Sequence, residues 1–386
     1  MARKKSPNGF GGIRKKVVNG SVYYEGRYTD PILHKQKSVS ATTERECRQK
    51  LKEVFAKITT GVYVTPSKKR VKDWAVEWLE GKQNLKPGSR ANYQRYIDQY
   101  IIPEIGNIYL ADLRPVHCQE FANKLNKPKS DGKRLSTKFV GLVIGTLHGM
   151  LEAAVRLEMI ATNPADRLEK PKVEKKAIKV IEKADQAAFI AEIEKSEYKN
   201  IHLFGLHTGA RISEILGLRW SRVDFEAGSV VIDTQLQRQR GSTTQRKLDA
   251  TKTGNIRTVI LPDFMVRMLK DIKRSQAEAQ LRAGENWQNE WGLVFTRADG
   301  SPMPHTTVAY DFKRIATALG KPELSYHALR HTYATDEIAS GTDPKTVADT
   351  LGHSTVAMTM DIYAAVSMDA KRAAAQRRQA EYAKES

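Results

Sequence analysis

The chain has 386 residues, of which 40% are hydrophobic and 28% charged, and its formal net charge is +20. This length suffices for two or three domains with apolar cores, and so large a basic surplus favours a polyanionic partner, most often nucleic acid. The two cysteines, Cys47 and Cys118, are far apart in the sequence, which argues against a disulfide scaffold or a cysteine-based zinc framework.

The basic surplus is concentrated at the N-terminus. Residues 1–70 contain 17 Lys and Arg against 5 Asp and Glu, a net charge of +12. This segment has no apolar run of the kind found in a secretory signal. It is therefore the prime candidate for salt-sensitive phosphate contacts, and a solvated basic surface without a ligand is the alternative.

Residues 1–65 are predicted to form a three-stranded sheet followed by a helix. A strand starts near Gly11, Asn19 and Gly20 form a hairpin turn, and further strands cover 22–28 and 35–40. Thr42 and Thr43 then cap a helix from Glu44 to about Ile58. The candidate DNA contacts of this region and of the basic linker after it are Arg14, Lys15, Lys16, Tyr24, Arg27, Lys68, Lys69 and Arg70. A small sheet with no role in DNA binding is the alternative.

Residues 66–172 are predicted to be helical. Pro87 and Pro115 each mark a helix start, and Ser136 caps a long helix that runs to about Arg156. Trp74, Trp78 and Phe121 are predicted to be core residues. The apolar stretch 139–155 is interrupted by polar residues, so we expect a buried helix and no membrane span.

Residues 173–386 are predicted to form the largest domain, after a basic interdomain linker at 170–179. Helices dominate it, with strands at 229–236, about 245–250 and 257–261, and Gly254 and Asn255 are expected to turn the chain between the last two strands. The predicted fold class is mainly α and multidomain, with a small N-terminal sheet and a small antiparallel sheet in the C-terminal domain.

The first candidate for chemistry is Arg211, which is predicted to begin an amphipathic helix over 211–220. Glu214 follows one helical turn later and can hold the guanidinium. A guanidinium fork matches two phosphate oxygens and keeps its charge at any working pH. The alternative is a surface Arg–Glu pair of little energetic value.

Two further candidates, His327 and Arg330, are three residues apart on a predicted helix and therefore share a face. His331 is turned about 100° from Arg330 and is interpreted as structural. Tyr326 and Tyr333 are interpreted as packing residues.

His353 follows Leu351 and Gly352, where the glycine can end a helix. Ten residues later comes Tyr363, whose phenol needs cations and a base or a strong hydrogen bond before it becomes a useful nucleophile, because its reference pKa is about 10. Lys252 lies before the predicted Gly254–Asn255 turn, and Lys247 competes with it for the role of the site's amine.

In chain order these motifs resemble those of the tyrosine recombinases, the integrases of phages and conjugative transposons. The resemblance is strong over 190–366, moderate over 71–170 and weak over 1–65. It implies an arm-type DNA-binding domain at 1–65, a helical core-binding domain at 66–172 and a catalytic domain at 173–386. The implied catalytic residues are Arg211, Lys252, His327, Arg330, His353 and the nucleophile Tyr363, supported by Glu214.

The family reaction implied is attack of the tyrosine on a DNA phosphodiester, giving a 3′-phosphotyrosine and a free 5′-hydroxyl, with Lys252 as the acid for the leaving oxygen. No metal or other cofactor is expected, because the sequence lacks metal-ligand spacing and a phosphate-binding glycine loop. A type IB topoisomerase, or a DNA-binding repressor that keeps the fold without catalysis, is the alternative.

The resemblance also implies partners: double-stranded DNA attachment sites, a homotetramer on DNA, and an accessory excisionase or DNA-bending protein. The C-terminal tail is expected either to dock on a neighbouring protomer or to be a frayed surface helix. We expect the protein to act on DNA in the cytoplasm of a bacterial host and to have no membrane partner.

Overall fold

The structure, a computed structural model, describes residues 12–18, 20–61, 63–64, 67–128, 132–169, 177–238, 245–250, 256–366, 378–379 and 382. The chain divides into two compact units, Met1–Glu174 and Lys175–Ser386. The division falls within the segment that the sequence indicates as a linker. The described part is mainly helical with small antiparallel sheets, so the predicted fold class is confirmed.

The first unit begins with an antiparallel sheet in the order β1-β2-β3 and a helix α1. Their bounds are β1 Ile13–Val18, β2 Ser21–Thr29, β3 Gln36–Ala41 and α1 Glu44–Thr59. The helix starts as predicted, because the Thr43 side chain accepts a hydrogen bond from the Glu46 backbone N–H at 3.3 Å. Gly26 lets the helix approach the sheet, since an added Cβ would lie 3.3 Å from Cys47 Sγ and from Leu51.

The helical part of the first unit follows. Its helices are α2 Val71–Glu80, α3 Pro87–Tyr96, α4 Ile102–Ile105, α5 Pro115–Asn126 and α6 Thr137–Arg156. The predicted core residues Trp74, Trp78 and Phe121 are buried, and Trp74 Nε1 donates to the Met150 carbonyl at 2.9 Å. Among the described helices α6 alone is long and apolar enough to cross a membrane, and half of its apolar window is buried.

The second unit contains eight described helices. They are α7 Lys183–Glu194, α8 Lys199–Thr208, α9 Ile212–Leu216, α10 Asp263–Ala283, α11 His305–Ala318, α12 His327–Ala339, α13 Pro344–Leu351 and α14 Val356–Val366. The predicted helix over 211–220 is wrong in length, because α9 ends at Leu216. The Gly217 backbone lies against Gln235 and Leu236, with an added Cβ 2.7 Å from the Leu236 nitrogen, so this tight contact with the next strand stops the helix.

The strands of the second unit form two sheets. They are β4 Val223–Asp224, β5 Ser229–Ile232, β6 Thr234–Arg238, β7 Arg246–Ala250 and β8 Arg257–Ile260, with orders β4-β5-β8 and β6-β7. The strand predicted over 229–236 is therefore two strands. It breaks at Asp233, whose carboxylate binds Arg219 and Arg222 at 3.0 and 2.7 Å.

The prediction that the last two strands pair is also wrong. The strand β7 pairs with β6, and β8 pairs with β5. The two strands also differ in burial, because β8 alternates buried and exposed positions whereas the positions of β7 are half-buried or exposed. Gly254 and Asn255 lie outside the described residues.

Candidate active site

The candidate site begins where α8 ends. Gly209 closes that helix in the left-handed conformation, with φ of 60°, and Arg211 then caps α9. The carboxylate of Glu214 accepts from the Arg211 backbone N–H at 3.0 Å and from Arg211 Nη1 at 2.7 Å, which is the contact that the sequence indicates. The Glu214 side chain is buried, whereas 23% of the Arg211 side chain remains exposed and accessible to a ligand.

Arg330 is held in a different way. Its side chain is buried, and its Nη1 and Nη2 donate to the Gly209 and Leu351 carbonyls at 2.8 Å each. Those carbonyls close α8 and α13, so the negative ends of two helix dipoles face the guanidinium. Burial and the nearby charge of Arg211 nevertheless lower the pKa of Arg330 to about 9. An anion bound beside both arginines would remove that conflict.

His327 lies on α12 one turn before Arg330, as predicted. Burial, then Arg330 and Arg211, lower the pKa of His327. His331, which is interpreted as structural, lies four residues after His327, and this spacing brings their two rings together, with centroids 5.3 Å apart and edge to face. Burial first, and then His327 and Arg330, lower the pKa of His331 to about 4.

His353 follows the turn that ends α13. Gly352 closes the helix with φ of 66°, and the next residue, His353, directs Nδ1 to Thr359 Oγ1 at 2.7 Å. Thr359 is fully buried on α14. Burial, then Arg330 and Arg211, lower the pKa of His353 to about 4, so its imidazole is neutral at pH 7 and available for hydrogen bonding.

The structure thus brings Arg211, Glu214, His327, Arg330 and His353 to one place. The positive charges of Arg211 and Arg330 act on both imidazoles there. Tyr363 lies one helical turn after Thr359 on α14, and its side chain is outside the part of the chain that is described. Lys252 also lies outside the described residues. Its competitor Lys247 is on β7, where it forms an ion pair with Asp249 at 2.7 Å.

Two residues of the site had no role assigned to them from the sequence. Arg257 on β8 donates from Nη2 to Glu214 Oε2 at 2.6 Å, and Thr359 holds His353. Burial raises the pKa of the Glu214 carboxyl, but the hydrogen bond and charge of Arg257, together with Arg211, bring it below its usual value. An available signal was the alternation of β8, which puts an arginine at an inward position.

The candidate DNA contacts of the N-terminal sheet do not share one face. By strand register, Arg14 and Lys16 lie on the face of Glu25 and Arg27, away from α1, whereas Lys15 is paired with Tyr24 on the opposite face. Lys16 and Arg27 both contact the Glu25 carboxylate, at 2.9 and 3.2 Å. The face away from α1 therefore carries a net positive charge.

The basic linker residues Lys68, Lys69 and Arg70 come directly before α2, which begins at Val71. Lys68 is exposed, Lys69 forms an ion pair with Glu77, and Arg70 donates to the Asn107 carbonyl at 3.0 Å while its guanidinium lies over the Tyr109 ring. Arg70 is therefore engaged within the first unit.

One group with metal-ligand atoms occurs among the described residues, far along the chain from the candidate site. It consists of His148, Glu152 and Asp166 in the first unit, with ligand atoms within 4.8 Å of one another. His148 Nε2 and Asp166 Oδ1 are already in contact at 3.0 Å. The sequence did not indicate this group, because tertiary folding brings Asp166 to the helix that carries the other two residues.

Comparison with known proteins gives two matching family models. The model of the phage integrase family matches residues 174–370, and that of the N-terminal SAM-like domain of phage integrases matches residues 71–126. A tyrosine recombinase XerC-like protein of Caldanaerobacter subterraneus subsp. tengcongensis is 28% identical over 90% of this chain and 93% of its own length. The transposase of transposon Tn916 from Enterococcus faecalis is 23% identical over 86% of this chain and 83% of its own length.

Solved structures with a similar fold include those of two integrases. The Tn1549 transposon integrase in complex with a circular intermediate DNA has a TM-score of 0.67 and 20% identity, over 80% of this chain and 99% of that one. A lambda integrase tetramer bound to a Holliday junction has a TM-score of 0.56 and 18% identity, over 94% of this chain and 96% of that one.

Proposed function

Because the chain belongs to the phage integrase family of tyrosine recombinases, we propose that it integrates and excises a mobile element, with Tyr363 as the nucleophile. One observation carries the proposal: two guanidiniums and two neutral imidazoles converge beside the helix on which Tyr363 lies. The transposon names of two relatives support the mobile-element assignment.

In the proposed reaction the Tyr363 phenolate oxygen attacks the scissile phosphorus. A 3′-phosphotyrosine bond forms, the bond to the 5′ oxygen breaks, and that oxygen leaves as a hydroxyl after protonation by Lys252. The 5′-hydroxyl of a partner strand then attacks the phosphotyrosine and releases the enzyme. One phosphoester bond replaces another in each step, so no nucleoside triphosphate is consumed.

The other site residues stabilise the charge that develops on phosphorus. Arg211 and Arg330 bind the non-bridging oxygens, and a preorganised donor of this kind is typically worth about 10²–10³ in rate. His327 and His353 donate hydrogen bonds as neutral imidazoles, and His353 is oriented by Thr359. General acid catalysis by Lys252 would contribute about 10²–10⁴.

We assign the three parts of the chain as an arm-type DNA-binding domain at 1–65, a core-binding domain at 66–172 and a catalytic domain at 173–386. The net positive face of the N-terminal sheet supports the first assignment. The match of the SAM-like family model to residues 71–126 supports the second.

The active form proposed is a homotetramer on two double-stranded attachment sites, acting in the bacterial cytoplasm with an excisionase or DNA-bending protein. The tetrameric lambda integrase on a Holliday junction supports the assembly.

A nicked suicide substrate tests the reaction, because loss of the short strand next to the cleavage point traps the covalent intermediate. We expect a denaturation-resistant protein–DNA adduct for the wild type and none for Tyr363→Phe, which should still bind the DNA. An adduct with the Phe variant would reject Tyr363 as the nucleophile. Binding without an adduct for the wild type would favour a repressor, and adduct formation without exchange between two duplexes would favour a topoisomerase.

A further inference from the structure

A buried arginine lies behind the candidate site. Arg257 is on β8, where its side chain and that of Val259 face inward while Thr258 and Ile260 are exposed. Only 7% of the Arg257 side chain is exposed. A buried guanidinium is costly unless its donors are paired, so the partners of Arg257 indicate why the charge is there.

Those partners lie in two different parts of the site. Arg257 Nη2 donates to Glu214 Oε2 at 2.6 Å, and Nε donates to the Thr350 carbonyl at 2.7 Å. The same side chain packs against Gly352, since a Cβ added there would lie 2.9 Å from Nη1 and 3.2 Å from Cδ. One guanidinium therefore joins the carboxylate that follows Arg211 to the turn that ends α13.

Each partner holds a residue of the proposed reaction. Glu214 is bonded to Arg211 through two hydrogen bonds. The turn at the end of α13 supplies the Leu351 carbonyl to Arg330 and continues directly into His353. A shift of Arg257 would therefore move both Arg211 and Arg330. The distance between these two guanidiniums determines how they bind one phosphate.

On the premise of the proposed function, we propose that Arg257 is a positioning residue that fixes the separation between Arg211 and the Arg330–His353 side of the site. It acts through Glu214 and the Thr350–Gly352 turn, because both of the hydrogen bonds named above bind these protein groups. A misplacement of reacting groups by about 1 Å can reduce a rate about 10²-fold, so this role predicts a large effect on cleavage from a residue behind the site.

The test compares Arg257→Met with Arg257→Lys and with Arg274→Met as the matched control. Arg274 is an exposed arginine on α10 that is paired with Asp271, so its loss changes the charge without touching the site. Thermal unfolding, DNA affinity and the single-turnover rate of adduct formation at saturating protein are measured for each variant on the suicide substrate.

We expect Arg257→Met to form the adduct about 10²-fold more slowly, with DNA affinity within about threefold of the control, because Arg257 lies behind the site and bonds Glu214 and the Thr350 carbonyl. Arg257→Lys restores the charge but cannot reach both acceptors, so an intermediate loss of about tenfold is expected. In combination with Glu214→Gln the losses should be non-additive, because the two residues act as one unit.

A pH profile separates positioning from a purely structural role. The groups that face Glu214 are Arg211 on α9, Arg257 on β8, and Arg330 and His327 on α12. Burial raises the pKa of the Glu214 carboxyl and both Arg257 and Arg211 lower it, so loss of Arg257 should raise that pKa, and protonation of Glu214 should then release Arg211. The cleavage rate of Arg257→Met should therefore fall at a higher pH on the acid side than the wild-type rate does.

A folded Arg257→Met that cleaves at the rate of Arg274→Met would overturn the positioning role. A loss of cleavage rate that is fully accounted for by the fraction of unfolded protein would also overturn it. If the Met variant does not fold, the Lys variant decides, and a wild-type cleavage rate for it would overturn the role. Failure of the wild type to form any adduct would instead reject the proposed function, so the two failures are distinguishable.

Discussion

The N-terminal sheet and the candidate site both concentrate basic side chains, but they hold them in opposite ways. On the sheet, Lys16 and Arg27 share one carboxylate, Glu25, and remain more than a third exposed. In the site, Arg330 is buried and bonded to two backbone carbonyls. An exposed cation can follow a flexible polyanion and is screened by salt, whereas a buried one has a fixed geometry and little screening. The first arrangement suits affinity, and the second suits catalysis.

The largest expected effect comes from Arg330→Lys. An ammonium keeps the charge but loses the fork that binds both the Gly209 and Leu351 carbonyls, so adduct formation should slow by about 10²–10³-fold with little change in DNA affinity. Single-turnover cleavage and a filter-binding titration measure the two quantities, with Arg274→Lys as the control. Equal losses of affinity and rate would mean that Arg330 serves binding, as the sheet residues do.

Next in size is Gly209→Ala, which tests whether the fixed geometry of the site depends on the end of α8. An added Cβ would lie 2.4 Å from Leu351 Cδ2 and 2.7 Å from Tyr333, at a φ of 60°. We expect about 1–2 kcal/mol of backbone strain and a further ~1–3 kcal/mol from the overlap, as measured by urea unfolding.

Gly320→Ala is the matched control for that substitution. It has a φ of 71° with nothing within 4 Å of the added Cβ, so it carries the backbone strain without the overlap. If both alanine variants lose the same stability, the contact between the end of α8 and Leu351 is not what holds in place the two carbonyls that bind Arg330.

Acid should lower the free energy of unfolding over a defined pH range. The pKa values of His331 and His353 are lowered from the ordinary 6.5 to about 4, chiefly by burial. A group with a lowered pKa in the fold takes up protons more readily when unfolded, so its stabilisation is complete above pH 6.5 and is lost as the pH falls towards 4. Urea unfolding between pH 4 and 7 should show this loss, and His331→Asn should make it shallower. An unchanged slope in the variant would exclude His331 as a contributor.

The smallest effect is expected on the sheet, from Arg27→Ala. Arg27 is proposed to contact a phosphate, so its removal should reduce the slope of log affinity against log salt by about 1, without a change in cleavage chemistry. Arg48→Ala is the control, since Arg48 lies on α1 in an exposed pair with Glu44. Identical salt slopes for both variants would remove the support for an arm-type DNA contact on that face of the sheet.

Much of this molecule is determined locally and was therefore predictable. Thr43 and Ser136 cap their helices because side-chain oxygens satisfy free N–H groups at the first turn, which is a short-range effect. The ends of helices at Gly209 and Gly352, the Arg211–Glu214 contact and the shared face of His327 and Arg330 also depend on residues at most four positions apart.

What the sequence alone did not determine depends on contacts between distant segments. Strand pairing in the second unit joins segments that are distant in the chain, since β5 pairs with β8 although β6 and β7 lie between them. The role inferred for Arg257 arises in the same way, because Glu214 and Thr350 are 43 and 93 residues from it. Local propensity sets the helices and their caps, whereas the burial of a charge is tolerated only where folding brings partners from several elements to it.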